Sequence, residues 1–359
     1  VFVVAHIGAH VLGGAERATV SLLAGLAGRG HRVLLFCATE RVEAHARDRG
    51  VATERAVLGG DTMIPHAFRF AAQLRRHRPD VLVVGTFKKM LLAALAARMA
   101  RVPRVVARIG LETDTPRSRK YRFVVGRWID AVVLKSEDMR QRYLEAGIDP
   151  RRLALIPGGV ALPPRRLPSG GVRRALGIAP DALVVGAAAR LARQKRLDRL
   201  LHAFAALPAD VHCIVAGEGG KRAELQSLAA ELGVAERVHF LGLREDVADV
   251  LDALDVYVIT SDREGMSNSM MEALAAGVPV VSTDVSGARD ALAPLPDGRR
   301  PGEVVGFDPA EVAAALHRVL ASPALRAEMR EAALERARGS LDFERMLDRW
   351  EAILAGGAP

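Results

Sequence analysis

Aromatic side chains are scarce, at 4% of 359 residues, and only two cysteines are present. Cys37 and Cys213 lie far apart in apolar, strand-like stretches, which argues against a disulfide framework and for buried free thiols in a reducing cytosol. No apolar run reaches the roughly 18 residues of a membrane-crossing helix. The longest candidate, MLLAALAARMA, is short and interrupted by Arg98. The opening VFVVAHIGAH has no basic region ahead of its apolar run and is expected to be a first strand, not a signal peptide. His and Cys show no cluster of metal-ligand spacing, and no recognised nucleic-acid motif is present, so neither a metal nor a nucleic-acid partner is expected.

Half of the residues are apolar and a quarter charged, as in a soluble globular protein, and the length favours two domains. The charge is uneven. Residues 1–160 carry 27 Lys/Arg against 14 Asp/Glu, and the remainder 24 against 28. A basic first half, taken by charge alone, fits an anionic partner such as nucleic acid, acidic lipid headgroups or a phosphorylated acceptor, or a solvated Arg-rich surface.

Short β-branched runs alternate with helical patterns throughout: VFVVAHI, RVLLFCA, DVLVVG, RVVARI and AVVLKS, then LVVGAAA, HCIVAGE, VHFLG, DVYVITS and PVVST. Strands this uniformly apolar, separated by helices, indicate α/β architecture with parallel sheets covered on both faces. The Pro- and Gly-dense stretch PGGVALPPRRLPSGG, residues 157–171, separates the two sets. The expected organisation is therefore two doubly wound domains, 1–160 and 161–340, plus a terminal helix within 341–359. Leu341, Phe343, Met346, Leu347, Trp350 and Leu354 form that helix's apolar stripe, which could dock on either domain, including back on the first.

In such sheets ligands bind beyond the carboxyl ends of the strands, and three segments fall there. TSDREGMSNSMMEALAAGVPVVST places Glu264 in a strand-to-helix loop and Glu272 one turn into the helix, with Gly265 permitting close approach of a ligand. Ser267 or Asn268 is the expected N-cap, and the amides that follow suit an anion or hydroxyl oxygens. A carboxylate can accept both hydrogen bonds of a vicinal diol such as ribose. GAAARLARQKRLDRLLHAF puts Arg190 and Lys195 between a strand end and a helix, a natural diphosphate site. HIGAHVLGGAERATV runs a first strand into Gly13–Gly14 and a helix, again suited to phosphate.

The order Gly13–Gly14, Arg190 with Lys195, GEGGKRAEL, VHFLGLREDV, then Glu264 and Glu272 resembles the GT-B glycosyltransferases, in particular the retaining family-4 group. The match covers nearly the whole chain and is strongest from Gly186 to Gly287, where Glu264 and Glu272 are similar to that family's E-x7-E motif. The resemblance implies two Rossmann-like domains facing a cleft. It implies a UDP- or GDP-linked sugar donor, with Glu272 on the ribose diol and Glu264 orienting the sugar. It further implies Arg190 and Lys195 on the diphosphate, Gly13 and Gly14 giving it backbone contacts, and Gly265, Met266, Ser267 and Asn268 meeting sugar hydroxyls. The loop with Gly242 and Leu243 is similar to the segment beside the base. Fixed cations stabilising the leaving diphosphate make a metal or other cofactor unnecessary.

One departure stands out. Many family members carry a His where this chain has Arg108, and Arg cannot act as a general base. A front-face mechanism, in which the leaving phosphate takes the acceptor's proton, needs none. Arg108 is then expected to stabilise phosphate or bind an anionic acceptor, the alternative being an inactive homologue; Glu112 is a remote candidate for acceptor contact. Residues 115–130 combine Arg117, Arg119, Lys120, Arg122 and Arg127 with Tyr121, Phe123 and Trp128. They fit an anionic membrane face or lipid-linked acceptor, or else a helix packing Phe123, Val124 and Trp128 inward. The reading is a cytoplasmic hexosyltransferase, peripheral at the inner face of the membrane, building lipopolysaccharide or another cell-surface glycan. A GT-B-fold nucleotide-sugar epimerase and a non-catalytic sugar-nucleotide or anion-binding module are the alternatives.

Overall fold

The structure, a computed structural model, describes residues 2–7, 13–56, 63–111, 114–116, 118–161 and 165–357. The chain divides into two compact units, Val1–Pro157 with Glu344–Pro359, and Gly158–Phe343.

The first unit holds strands β1 (Val3–Ile7), β2 (Arg32–Cys37), β3 (Ala52–Arg55), β4 (Val81–Val84), β5 (Arg104–Arg108), β6 (Ala131–Leu134) and β7 (Leu153–Leu155). They pair in parallel in the order β3-β2-β1-β4-β5-β6-β7. Between them run α1 (Gly14–Gly28), α2 (Glu40–Arg47), α3 (Ile64–His77), α4 (Met90–Ala100), α5 (Arg119–Trp128) and α6 (Glu137–Glu145). Every residue of β4 and β6 is buried, which is why both read as unbroken apolar runs. The strands ATER and LAL escaped the sequence reading: each lies at a sheet edge, where a short or polar strand suffices.

The second unit holds α7 (Gly171–Ala175) and strands β8 (Val184–Ala188), β9 (His212–Ala216), β10 (Val238–Gly242), β11 (Val256–Ile259), β12 (Val280–Thr283) and β13 (Gly302–Val305). Its parallel order is β10-β9-β8-β11-β12-β13. The remaining helices are α8 (Leu197–Ala205), α9 (Arg222–Glu231), α10 (Val247–Asp252), α11 (Asn268–Ala275), α12 (Ser286–Ala291), α13 (Pro309–Ala321), α14 (Pro323–Arg338) and α15 (Phe343–Leu354). Side-chain oxygens of Ser118, Ser136, Asp308 and Ser322 accept a first-turn amide and so start α5, α6, α13 and α14.

Most of α15 belongs to the first unit. Arg29, at the end of α1, pairs with Glu344, Asp348 and Glu351, and His31 Nε2 meets Glu351 Oε1 at 2.8 Å. The buried stripe is Leu347, Trp350, Ile353 and Leu354; Leu341 lies instead in the core of the second unit, because the helix begins after it.

Each sheet reverses its strand order once, between β1 and β4 in the first unit and between β8 and β11 in the second. At such switch points the loops above adjacent strands diverge to opposite faces and leave a crevice. Those two crevices position the chemistry.

Candidate active site

In the second unit, Arg190 and Lys195 follow β8, and Glu264 follows β11, its neighbour across the switch point. The turn Arg193–Lys195 is strapped to the β11 loop. Asp262 N donates to Gln194 O at 3.0 Å, Gln194 Nε2 to Arg263 O at 2.7 Å, and Thr260 Oγ1 to Lys195 O at 3.2 Å. Beneath them Arg199 donates to Thr260 O and, at 3.0 Å, to Asp262 Oδ1, while Arg196 reaches Asp262 at 3.2 Å.

Glu264 is buried, at 8% exposure, and is held by the Lys195 ammonium and by Ser261 Oγ at 2.8 Å. The sequence reading gave Lys195 to a diphosphate; the structure puts it on the carboxylate first. Arg190 is exposed and, among the described residues, makes no ion pair, so its fork of donors stays available. Tyr257 of β11 fixes the end of β8, its hydroxyl taking Ala188 N and giving to Ala188 O at 3.0 Å each. Burial raises its pKa, so the hydroxyl stays protonated.

Ser267 is the N-cap of α11, although its hydroxyl meets Ser269 Oγ at 3.2 Å and caps no amide. Gly265, Met266 and Ser267 are buried, Met266 within the core, so their main chain is what they can offer a ligand. Gly287 N–H donates to Gly265 O at 2.7 Å, and a Cβ on Gly287 would come within 2.3 Å of that oxygen. Glu272 is half-buried in the second turn of α11, and its charge, with that of Glu264, acts on the Tyr257 phenol. Gly242 closes β10 with a left-handed φ of 72°, and Leu243 beyond it is exposed.

In the first unit, Gly13 is the extended N-cap of α1, and its N–H already donates to Glu16 Oε2 at 3.2 Å. Arg108 ends β5 and donates to Thr19 Oγ1 of α1 at 2.6 Å. Burial, opposed by the charge of Glu16, lowers its pKa to about 10, which leaves it charged at neutral pH and no base. Glu112 and Arg117 lie outside the described residues. In α5, Val124 and Val125 are buried while Phe123 is 56% exposed, so Phe123 turns outward rather than into the core.

Sequence reasoning missed Tyr257, Ser261, Arg199, His6 and Lys89. The first three gain their role only from strand pairing. His6 carried a usable signal, a polar residue in the otherwise apolar β1, while Lys89 lies in the turn Phe87–Lys89 that follows β4, the strand beside it.

Two family models cover most of the chain: Glycosyl transferases group 1 matches residues 172–336, and Glycosyl transferase 4-like domain matches 13–159. The chain is 29% identical over 360 residues to the lipopolysaccharide core biosynthesis glycosyltransferase LpsE of Rhizobium meliloti, covering 96% of both. It is 36% identical over 239 residues to a D-inositol 3-phosphate glycosyltransferase of Geodermatophilus obscurus, a match spanning 62% of this chain and about half, 51%, of that relative. Anabaena Alr3699/HepE, solved with UDP and glucose, superposes with a TM-score of 0.86 at 20% identity over 99% of this chain and 100% of its own. Two parallel Rossmann-like sheets, the acid and cation positions at their switch points, and these matches place the chain in the family-4-like glycosyltransferases of the GT-B fold.

Proposed function

We propose that the protein is a retaining, metal-independent glycosyltransferase that moves a sugar from a UDP- or GDP-sugar to a cell-surface glycan or lipid-linked acceptor. The observation that carries this is the convergence of Glu264, Lys195 and Arg190 above the ends of β8 and β11. Glu272 takes the ribose diol, Glu264 orients the sugar, and main-chain amides at Gly265–Asn268 meet its hydroxyls. Gly242 and Leu243 lie beside the base, and Gly13 and Gly14 present backbone to phosphate.

In the reaction the bond from the anomeric carbon to phosphate breaks and a bond to the acceptor oxygen forms on the same face. The acceptor's proton passes to the departing phosphate oxygen. Negative charge grows on the diphosphate, and Arg190 and Lys195 stabilise it from fixed positions, the work a divalent ion would otherwise do. Once a phosphate shares the Lys195 ammonium, Glu264 loses part of its partner and is freer to engage the sugar.

Relatives support the donor and acceptor classes: HepE was solved with UDP-glucose, LpsE is named for lipopolysaccharide core biosynthesis, and an Escherichia coli relative for transfer onto a diphosphoundecaprenol-linked sugar. A peripheral place at the inner membrane face is supported by α3, α4 and α5, which pack in sequence and expose Ile64, Phe68 and Phe123 beside arginines. Cytoplasmic residence is supported by the two buried free thiols. The test is thermal-shift screening against UDP-, GDP- and ADP-sugars, followed by turnover with the one that binds. A protein stabilised by none of them is not this enzyme.

A further inference from the structure

One oxygen of Glu264 receives both of the bonds that hold this acid. Lys195 Nζ and Ser261 Oγ each donate to Oε1, the serine at 2.8 Å, and no described residue donates to Oε2. An ionised carboxylate has about two lone-pair sites on each oxygen. Oε1 is therefore filled, while Oε2 keeps both sites open on a side chain that is only 10% exposed. The grip fixes the plane of the carboxylate and so the direction of the open lone pairs.

The two donors differ in kind. Lys195 is an ammonium on a flexible four-carbon stem, and a diphosphate arriving beside it competes with Glu264 for the same charge. The Ser261 hydroxyl is uncharged and sits on a single carbon, so a diphosphate has far less hold on it. Ser261 is 2% exposed, and its main chain is bolted down: Thr283 Oγ1, fully buried at the end of β12, donates to Ser261 O at 2.8 Å. The loop is pinned again on either side of Glu264. Asp262 N donates to Gln194 O at 3.0 Å, and Gly287 N to Gly265 O at 2.7 Å. The serine hydroxyl thus reaches Oε1 from a backbone that is fixed independently of Lys195.

We infer that Ser261 is the positioning residue of Glu264. Its hydroxyl keeps Oε1 in place while Lys195 turns to the leaving diphosphate, so that Oε2 stays aimed at a sugar hydroxyl. Ser261 itself touches no substrate and acts through Glu264 alone. The role rests on the glycosyltransferase reading. A buried serine that only satisfies its own hydroxyl would make the same bond, so holding the acid has to be separated from holding the fold.

The test is a double-mutant cycle on the full chain: wild type, Ser261→Ala, Glu264→Ala and the double variant. Each is assayed for turnover of the nucleotide-sugar found by screening, for UDP affinity by calorimetry and for folding by thermal midpoint. Ser261→Ala is expected to lower kcat about 10- to 100-fold, the cost of a misplaced group, with UDP affinity within about threefold of wild type. In the Glu264→Ala background the same change is expected to alter kcat less than about twofold, because the group it positions is gone. Ser261→Cys, close in size and a weak donor, is expected to fall between wild type and Ser261→Ala, and replaces the alanine variant should that not fold. A folded variant at Ser261 with wild-type kcat overturns the role. So do equal losses of kcat with and without Glu264, or a parallel loss of UDP affinity, which mark a serine that serves only the fold. A wild type that turns over no nucleotide-sugar overturns the transferase reading and this role with it, whereas additive effects in an active wild type overturn the role of Ser261 alone.

Discussion

Lys195 and Glu264, 69 residues apart in sequence, meet as an ion pair where β8 and β11 end side by side. The cation proposed for the leaving group thus doubles as the partner of the acid proposed for the sugar, whereas Arg190, in the same loop, is exposed and unpaired among the described residues.

The two cations should therefore behave differently. Lys195→Ala strips a buried carboxylate of its charge partner and is expected to cost about 1–3 kcal/mol of stability along with donor affinity. Arg190→Ala should leave the unfolding midpoint within about 0.5 kcal/mol of wild type while lowering turnover. Chemical denaturation beside kcat measurements checks this, and equal stability loss in both contradicts it.

The two carboxylates separate by kinetic parameter. Glu272→Ala is expected to weaken nucleotide-sugar binding about 10-fold or more, the value of a charge-assisted contact to a diol. Glu264→Ala should mainly lower kcat. Binding and turnover unchanged in both variants would remove the site assignment.

Gly287 is set against the Gly265 carbonyl so closely that a methyl group has no room. Gly287→Ala must push the Glu264 loop away, and a loss of at least about 1 kcal/mol in stability together with reduced kcat/KM is expected. A fully active, equally stable variant would show that the loop's position is not critical.

The latch on α15 carries a pH signature. Hydrogen bonds from His31 and Arg29 hold the Glu351 carboxyl below its ordinary range. A depressed acid adds stability that is present above its unfolded pKa, near 4.5, and disappears as pH falls through the folded value. Glu351→Gln should therefore be less stable than wild type at pH 7, by about 1 kcal/mol for a partly exposed pair. The gap should close on acidification, as unfolding midpoints at pH 7 and pH 3 would show; a gap independent of pH would exclude the ion pair as its source.

Membrane contact is tested on the exposed apolar residues. Phe68, at 59% exposure, and Phe123 lie on helices that carry no acid. Phe68→Glu with Phe123→Glu should lower binding to vesicles containing anionic lipid by about tenfold or more, given the apolar area lost and the charge reversed. Binding that survives both changes would place the contact elsewhere.

Much of the fold was legible because uniform apolar strands alternating with helices admit few arrangements other than covered parallel sheets. The ten strands read from the sequence all appear. The three that were not read, β3, β7 and β13, sit toward sheet edges and are short or polar, so they lack that pattern. The proposed donor site was legible through spacing: Glu264 and Glu272 eight apart, Arg190 and Lys195 around one turn.

Those features are local, and local chemistry is what a sequence carries by itself: periodicity, turn residues, and the order of acids, cations and glycines. Partner choice is not local. Strand order alone set β8 beside β11 and β1 beside β4, and so put Lys195 on Glu264, Tyr257 on the Ala188 backbone and Arg108 near His6. The pleat then decided which face each side chain took, turning His6 and Arg108 toward α1. Tertiary structure had to make those decisions because a hydrogen bond or a buried charge is defined by its partner, and here the partners lie tens of residues away.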